Sequence, residues 1–311
     1  MLHCRIDRRT FTRAAMALVP PAVAPTVTTT VASESAEPSD PANPVPHIAA
    51  FTKPMQRIAP ERVASRLSSA GFAGVECPIR SKGRIEPSRI EDELPAHVET
   101  LAAAGVAITI AATDINDPDD PATARVLGAL AAAGVPAYRM AYYRYAKDTD
   151  LPSQIDDFAA RMRSLAALNR EIGITGLYQN HADYRFFGGP IWDLHRAVQG
   201  IEPEHLGVAF DLRHATVEGG RSYPLEWQLI APHVRAFYVK DFRWEGGKIV
   251  NQPLGRGQCD PDFYKNLSAE QKRMPFSLHV EYLRGPAATD GDQVFAAFER
   301  DGKKLAGWLE S

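Results

Sequence analysis

A single-domain α/β protein, a closed (β/α)8 TIM barrel, is the fold predicted for this 311-residue chain, and three observations predict it. From residue 46 onward, short β-type runs alternate with helical patterns eight times in about 260 residues, the size of such a barrel, with no long linker between them. Two helical patterns end in small residues, AAAG at 102–105 and 131–134, which suits helices packed close against strands. The competing open, doubly wound sheet calls for a glycine-rich phosphate loop after the first strand, and FTKPMQR at 51–57 is not one.

The elements follow in order. A strand is predicted over 47–53, then a helix over 61–70 with Val63, Leu67 and Ala70 at helical spacing, closed by Gly71. The second strand covers 74–77 and its helix 88–104; the third 106–112 and its helix 121–133. The fourth covers 137–142, followed by a long amphipathic helix over 155–172. The fifth covers 176–179, with a helix over 190–198; the sixth 206–211, with a helix over 224–231. The seventh runs over 234–240, then a loop and a helix near 262–267. The eighth covers 276–281, and a helix over 293–309 closes the chain.

The totals exclude several classes. A net charge of −3 and a pI near 6.3 provide no electrostatic footprint for nucleic acid or an anionic membrane. Three cysteines without a CxxC pair argue against a structural zinc site or a disulfide framework. No apolar run approaches the length of a transmembrane helix. The N-terminus reads DRRTFTR at 7–13, then a short apolar stretch and a Pro/Ala/Thr/Val-rich tract, and resembles a twin-arginine signal. The expected organisation is a signal over 1–32, a Ser/Pro/acidic disordered linker over 33–45 and the barrel over 46–311, with export of the folded protein to the bacterial periplasm.

Barrel chemistry sits at the C-terminal ends of the strands, and here those ends are polar. Side chains alternate along a strand, so LYQNHAD at 177–183 sets Gln179 and His181 on one side. AFDLRHA brings Asp211 and His214, AFYVKDF brings Tyr238 and Lys240, and SLHVEY brings Ser277, His279 and Glu281. Lys53 ends the first strand, Glu76 and then Arg80 lie on the second, and Arg139 on the fourth. Singly, each has a plain structural reading: Lys240–Asp241 as a surface ion pair, Glu76 as a buried partner of an arginine, His279 as a core histidine bonded to a carbonyl. Together, charges at four consecutive strand ends are costly to bury unless paired, metal-bound or facing a wet cavity.

These motifs carry a resemblance. GFAGVE at 71–76, the D-x-x-H of Asp211–His214, the x-K-D of 238–241, LGRG at 254–257 and Glu281 resemble, in order and spacing, the xylose-isomerase-like barrels of the sugar phosphate isomerase/epimerase superfamily. The segments YQNH, GGPIWDL at 188–194, DLRHA with EGG, and VKDFRW are similar to its exported or lipid-anchored members. The resemblance implies a metal site of Glu, Asp, His and Glu, and those positions here hold Gln179, Asp211, Tyr238 and Glu281. Gln179 can lend an oxygen to a cation but cannot take a proton at neutral pH. Either Asp211, Glu281 and Gln179 hold a weakened Mn or Mg site, or Lys240 supplies the missing positive charge.

The implied activity is that of a carbohydrate isomerase or epimerase, moving a proton next to a sugar carbonyl on a small-molecule carbohydrate. The expected catalytic groups are Glu281, Lys240, His214 and His181; the expected substrate contacts are Lys53, Arg139, Gln179, Tyr238, His279 and Trp244, with Trp192 and Phe187 as further rings for stacking on a sugar. A single base beside a carbonyl stabiliser also suits a keto-glycoside lyase or hydrolase, and loss of both ligands suits a sugar-binding barrel without turnover. Export points to an unphosphorylated sugar.

Overall fold

The computed structural model describes residues 47–311; the expected signal over 1–32 and linker over 33–45 lie outside the described residues. Eight parallel strands close on themselves: β1 (Ile48–Phe51), β2 (Gly74–Pro78), β3 (Ala107–Ala112), β4 (Ala137–Arg139), β5 (Thr175–Gln179), β6 (Leu206–Asp211), β7 (Val234–Val239) and, after the hairpin β8 (Asp241–Glu245) and β9 (Lys248–Gln252), β10 (Phe276–Leu278). Strand β10 bonds to both β7 and β1, so the barrel has no free edge. The fold is the (β/α)8 barrel that the sequence predicts.

Helices α1 (Pro60–Ser69), α2 (Ile90–Ala102), α3 (Pro121–Ala132), α4 (Leu151–Ile172), α5 (Trp192–Val198), α6 (Leu212–Gly219), α7 (Tyr223–Ile230), α8 (Pro261–Lys265) and α9 (Gly291–Leu309) complete the alternation. Aspartates start many of them: Asp120, Asp150, Asp211, Asp260 and Asp290 each accept a first-turn backbone N–H. Both AAAG tracts end in a left-handed glycine, Gly105 at φ +73° and Gly134 at φ +76°. The chain thereby turns back, and Val106 and Val135 donate to the carbonyls of Leu101 and Leu130 as the next strand begins.

Alternation sorts the strand side chains into two populations. Phe210 and Phe237 point outward and pack with Trp227 and Phe263 of the helical layer. Ile110, Ala137, Leu177, Ala209, Ala236 and Tyr238 form a separate cluster inside the barrel. Small alanines there leave room for the Tyr238 ring, which is fully buried. Each large side chain removed from water in these layers contributes about 1.5–3 kcal/mol.

The structure departs from the expected elements in four places. A second helix, α6, follows β6 directly because the Asp211 side chain caps it; Gly219 and Gly220 then break it from α7. The loop expected after the seventh strand is the β8–β9 hairpin, turned by Gly246 (φ +55°) and Gly247 (φ +77°), as a two-residue Gly-Gly hairpin requires. Strands β4 and β10 stop at Arg139 and Leu278, earlier than expected, because the chain beyond them leaves the ladder to form the rim. Phe187, expected as a ring for sugar stacking, is fully buried among Tyr143, Phe158 and Tyr178 and packs the core instead.

Candidate active site

The polar residues of the barrel form two tiers. The lower is centred on Glu76 of β2, which is completely buried. Its Oε1 accepts from the Tyr238 hydroxyl at 3.0 Å and Arg139 Nε at 3.3 Å; its Oε2 accepts from Ser277 Oγ at 2.6 Å and faces His279 Nε2 at 3.1 Å. Burial alone would raise the carboxyl pKa, but His279, Arg139 and Ser277 outweigh it and hold the group at about 2. Burial works against the charged form of His279, but Glu281 and then Glu76 raise its pKa. Tyr238, at an expected cation-binding position, is therefore committed as a donor to Glu76.

The upper tier joins β5, β6, β7 and the end of β10. Asp211 is fully buried, and its Oδ2 accepts from Gln179 Nε2 at 2.7 Å and lies 3.2 Å from Lys240 Nζ, while Oδ1 accepts the His214 N–H at 3.1 Å as the cap of α6. Asn180 fixes the strand end by exchanging two hydrogen bonds with the Asp211 backbone, at 3.0 and 2.7 Å. Lys240 Nζ also lies 3.5 Å from Glu281 Oε2, so one ammonium stands between two carboxylates. Burial works against its charge, yet Asp211 and Glu281 raise its pKa, and it remains a cation at neutral pH. Lys240 pulls Glu281 far below the usual carboxylate range. The Glu281 side chain is 37% exposed, whereas those of Asp211 and Glu76 are closed off.

An open pocket of about 160 Å³ lies above these tiers, lined by Lys53, Arg80, Tyr142, His181, Lys240 and Glu281 among others. Phe51, Arg139, Gln179 and His279 complete the lining, and Glu281 is the one carboxylate there among the described residues. Burial and the nearby Lys240 push His181 down to about 3, so it is a neutral imidazole near pH 7. His214 is buried behind the pocket, its ring 3.9 Å from that of His181. Arg213 Nη1 lies 2.8 Å from His214 Nδ1, and a guanidinium can only donate, so the His214 proton sits on Nε2. Arg213 is held in turn by Asn251 of the hairpin at 3.0 Å. The ring nitrogens His181 Nδ1 and His279 Nδ1 are buried without a hydrogen-bond partner.

The structure thus brings Lys53, Arg139, Gln179, His181, Lys240, His279 and Glu281 to one pocket, with Asp211, His214 and Tyr238 behind or beneath it. Trp244 stands 47% exposed on the hairpin, outside the pocket lining. Tyr142 is a pocket residue outside the set expected from the strand ends. Its hydroxyl donates to Gln179 Oε1, and Arg139 lies over its ring at 5.2 Å. An aromatic pair just past Arg139, in RMAYY, is the signal that marks it. Lys240 and Asp241 are no surface ion pair: successive residues face opposite ways, and the Asp241 carboxylate accepts four backbone N–H groups, from Phe242, Gly255, Gly257 and Cys259. This pins the LGRG loop. A Cβ at Gly257 would stand 2.2 Å from Asp241 Oδ1, which is why that position is glycine.

The donor set as arranged does not suit a divalent cation. Lys240 Nζ already stands between Asp211 and Glu281, two residues that would have to hold the ion, Gln179 turns its NH2 toward Asp211 and its oxygen toward Tyr142, and Tyr238 donates to Glu76. Among the described residues, no group of three or more His, Cys, Asp or Glu side chains converges as a metal site.

Comparison with known proteins agrees with this architecture. No curated protein matches the sequence. Among solved structures, the 3-keto-D-glucoside 4-epimerase YcjR of E. coli superposes with a TM-score of 0.61 at 14% identity, covering 82% of this chain and 98% of its own. A xylose isomerase-like TIM barrel protein of Mycobacterium smegmatis in complex with magnesium gives 0.61 at 13%, covering 85% and 97%. The probable 3-DHS dehydratase AsbF of Bacillus anthracis gives 0.62 at 11%, covering 83% and 98%. At these identities the likeness is one of fold. The family described as "Xylose isomerase-like TIM barrel" matches residues 64–297, and the chain belongs to that family.

Proposed function

We propose that this barrel is a carbohydrate-directed enzyme of the isomerase/epimerase type that abstracts a proton next to a sugar carbonyl, with Glu281 as base and the Lys240 ammonium holding the carbonyl oxygen. One observation carries the reading: a buried ammonium, 3.2 Å from Asp211 and 3.5 Å from Glu281, aimed into a pocket whose one acidic lining residue is Glu281. A lysine whose pKa is raised stays charged, which suits it to stabilise an enediolate and not to act as base or imine-forming nucleophile.

In the resting site Lys240 keeps Glu281 a weak base. When the carbonyl oxygen takes up the ammonium and negative charge grows on it, that restraint relaxes, and the proton affinity of Glu281 rises as the C–H bond breaks. His279, bonded to Glu76, lies 3.6 Å from Glu281 Oε1 and orients it. Neutral His181 and the Tyr142–Gln179 pair offer hydrogen bonds to sugar hydroxyls, with Lys53 at the rim and Arg139 in the pocket floor. Asp211 positions Lys240, and His214 stands behind it with Nε2 3.6 Å from Asp211 Oδ2, beyond hydrogen-bond length.

Return of the proton to the neighbouring carbon, with the hydroxyl proton of that carbon passing to the former carbonyl oxygen, completes an isomerisation. Elimination from a keto-glycoside is the second reading, and the composition of the far wall favours it: Gln179 and neutral His181 stand there in place of a second carboxylate. In that course the C–H electrons form the new double bond, the β-oxygen leaves with its bond electrons and takes a proton from solvent at the open mouth, and Glu281 retains the abstracted proton until solvent removes it.

The test is deuterium exchange from D2O into a panel of sugars, keto-sugars and keto-glycosides. Exchange by the wild type, lost in Glu281→Gln, supports the reading; binding of panel members without exchange or product identifies a non-catalytic sugar-binding barrel. The twin-arginine resemblance supports action in the periplasm. Residues 1–45 fused to a reporter are expected to direct its export, and Arg8→Lys with Arg9→Lys to abolish it; export unaffected by the pair would remove that assignment.

A further inference from the structure

We propose that the substrate carries an anionic group of its own, a carboxylate or an acidic ester, received by Arg80, Lys53 and Arg139. This rests on the reading of the pocket as a carbohydrate site and names the class of carbohydrate.

Two of the pocket's cations lack an ion-pair partner within 4 Å among the described residues. Four cations line the pocket, Lys53, Arg80, Arg139 and Lys240, against one carboxylate, Glu281. Lys240 is neutralised by Asp211 and Glu281. Arg139 shares Glu76 through Nε alone, at 3.3 Å, and gives Nη1 to the Met140 carbonyl at 3.2 Å; its Nη2 meets no acceptor among the described residues. Glu76 is saturated by Tyr238, Ser277 and His279 and has nothing left for a second guanidinium. The side chains of Arg80 and Lys53 form no hydrogen bond and no ion pair within 4 Å with any described residue, and the charge of Lys53 reaches Glu281 only at longer range. The nearby carboxylate of Asp114 accepts the Ser81 N–H at 2.8 Å and, like Glu76, acts on Arg80 at longer range without forming an ion pair with it.

Placement reinforces the count. Lys53 follows β1 and Arg80 follows β2, and these strands are neighbours in the barrel, so both cations occupy one side of the rim. That side lies across the barrel from β5 and β6, which present Gln179 and Asp211. Arg80 is half-buried, and its proton affinity is lowered by burial first and by the Arg139 guanidinium second. Two guanidiniums facing one pocket repel each other until an anion lies between them; a planar carboxylate or a phosphate oxygen pair then satisfies both. A neutral sugar would leave that repulsion in place. Strand β1 also pairs with β10, whose end carries Glu281, so an anionic substituent held by Arg80 and Lys53 sets the rest of the sugar beside Glu281 and Lys240.

Calorimetric titration tests the assignment, with glucuronate, galacturonate, glucose 6-phosphate and neutral glucose as probes. The expected result is acid binding about tenfold or more tighter than glucose, a preference that added salt weakens. Arg80→Met is expected to cut the preference to about threefold or less with little change for glucose, and Lys53→Met, at an exposed position, to act in the same direction. A stronger response to the ester than to the uronates names a phosphate as the anion, and the reverse names a carboxylate. Equal affinity for acids and glucose, a preference that survives both variants, or no acid binding up to about 10 mM overturns the proposal. Acid preference without isotope exchange keeps this assignment and removes the reaction; exchange into neutral keto-sugars with no acid preference does the opposite.

Discussion

Two glutamates at strand ends of the same barrel have opposite surroundings. Glu76 lies at the bottom of the polar interior with Tyr238, Arg139, Ser277 and His279 around it, fully buried. Glu281 stands at the rim, 37% exposed, with Lys240 at 3.5 Å and His279 at 3.6 Å, both beyond good hydrogen-bond length. A carboxylate whose lone pairs are all engaged is a structural anion. One held chiefly by a charge at a distance keeps lone pairs for a substrate. His279 touches both, so the structural anion orients the exposed one.

Exchanging the two behaviours is the sharpest way to break this comparison. Glu281→Gln is expected to lower deuterium exchange by about 10³-fold and to cost less stability than Glu76→Gln, since solvent screens the exposed carboxylate. A stability loss of the size expected for a buried group would erase the distinction. Lys240→Met should reduce exchange by about 10²–10³-fold, the scale for removing a single oxyanion stabiliser, and a chelator should leave wild-type exchange unchanged. Loss of wild-type exchange on chelation would show that Lys240 does not carry the positive charge of the reaction.

Glu76→Gln is the smaller effect on turnover and the larger on folding. The folded pKa of Glu76 is depressed from 4.5 to about 2, so its contribution, about 3 kcal/mol, is present above the unfolded value and is lost as pH falls from near 4.5 toward 2. Chemical denaturation across that range should show the acid slope in the wild type and a flatter one in Glu76→Gln. Equal slopes would mean that Glu76 is not the anion the network protects.

The fold was legible because period-2 and period-3.6 patterns alternate from residue 46 onward, and the same alternation set Gln179 with His181, Tyr238 with Lys240, and Ser277 with His279. What stayed hidden depended on partners distant in sequence. Glu76 could be read as a buried partner of an arginine, but not that Ser277, some two hundred positions away, donates to it. Asp241 looked like a rim charge; its role is local loop architecture, which only the closed turn of Gly255 and Gly257 reveals. Tyr142 sits on irregular backbone beyond β4, where no periodicity marks a direction. The β8–β9 hairpin did have a signal in its Gly-Gly turn, obscured because its two short strands pair only with each other.

The contact between Gln179 Nε2 and Asp211 Oδ2, at 2.7 Å, also constrains how this site can change by mutation. A glutamate at position 179 would set two anions almost in contact, and the lysine already shared by Asp211 and Glu281 has little charge left for a third. That single replacement lands in a stability trough, whereas removing Lys240 first strands Asp211 in the interior. Positions 179 and 240 are therefore coupled: each residue is tolerated because of the other, and a passage to a cation-loaded site runs through both together.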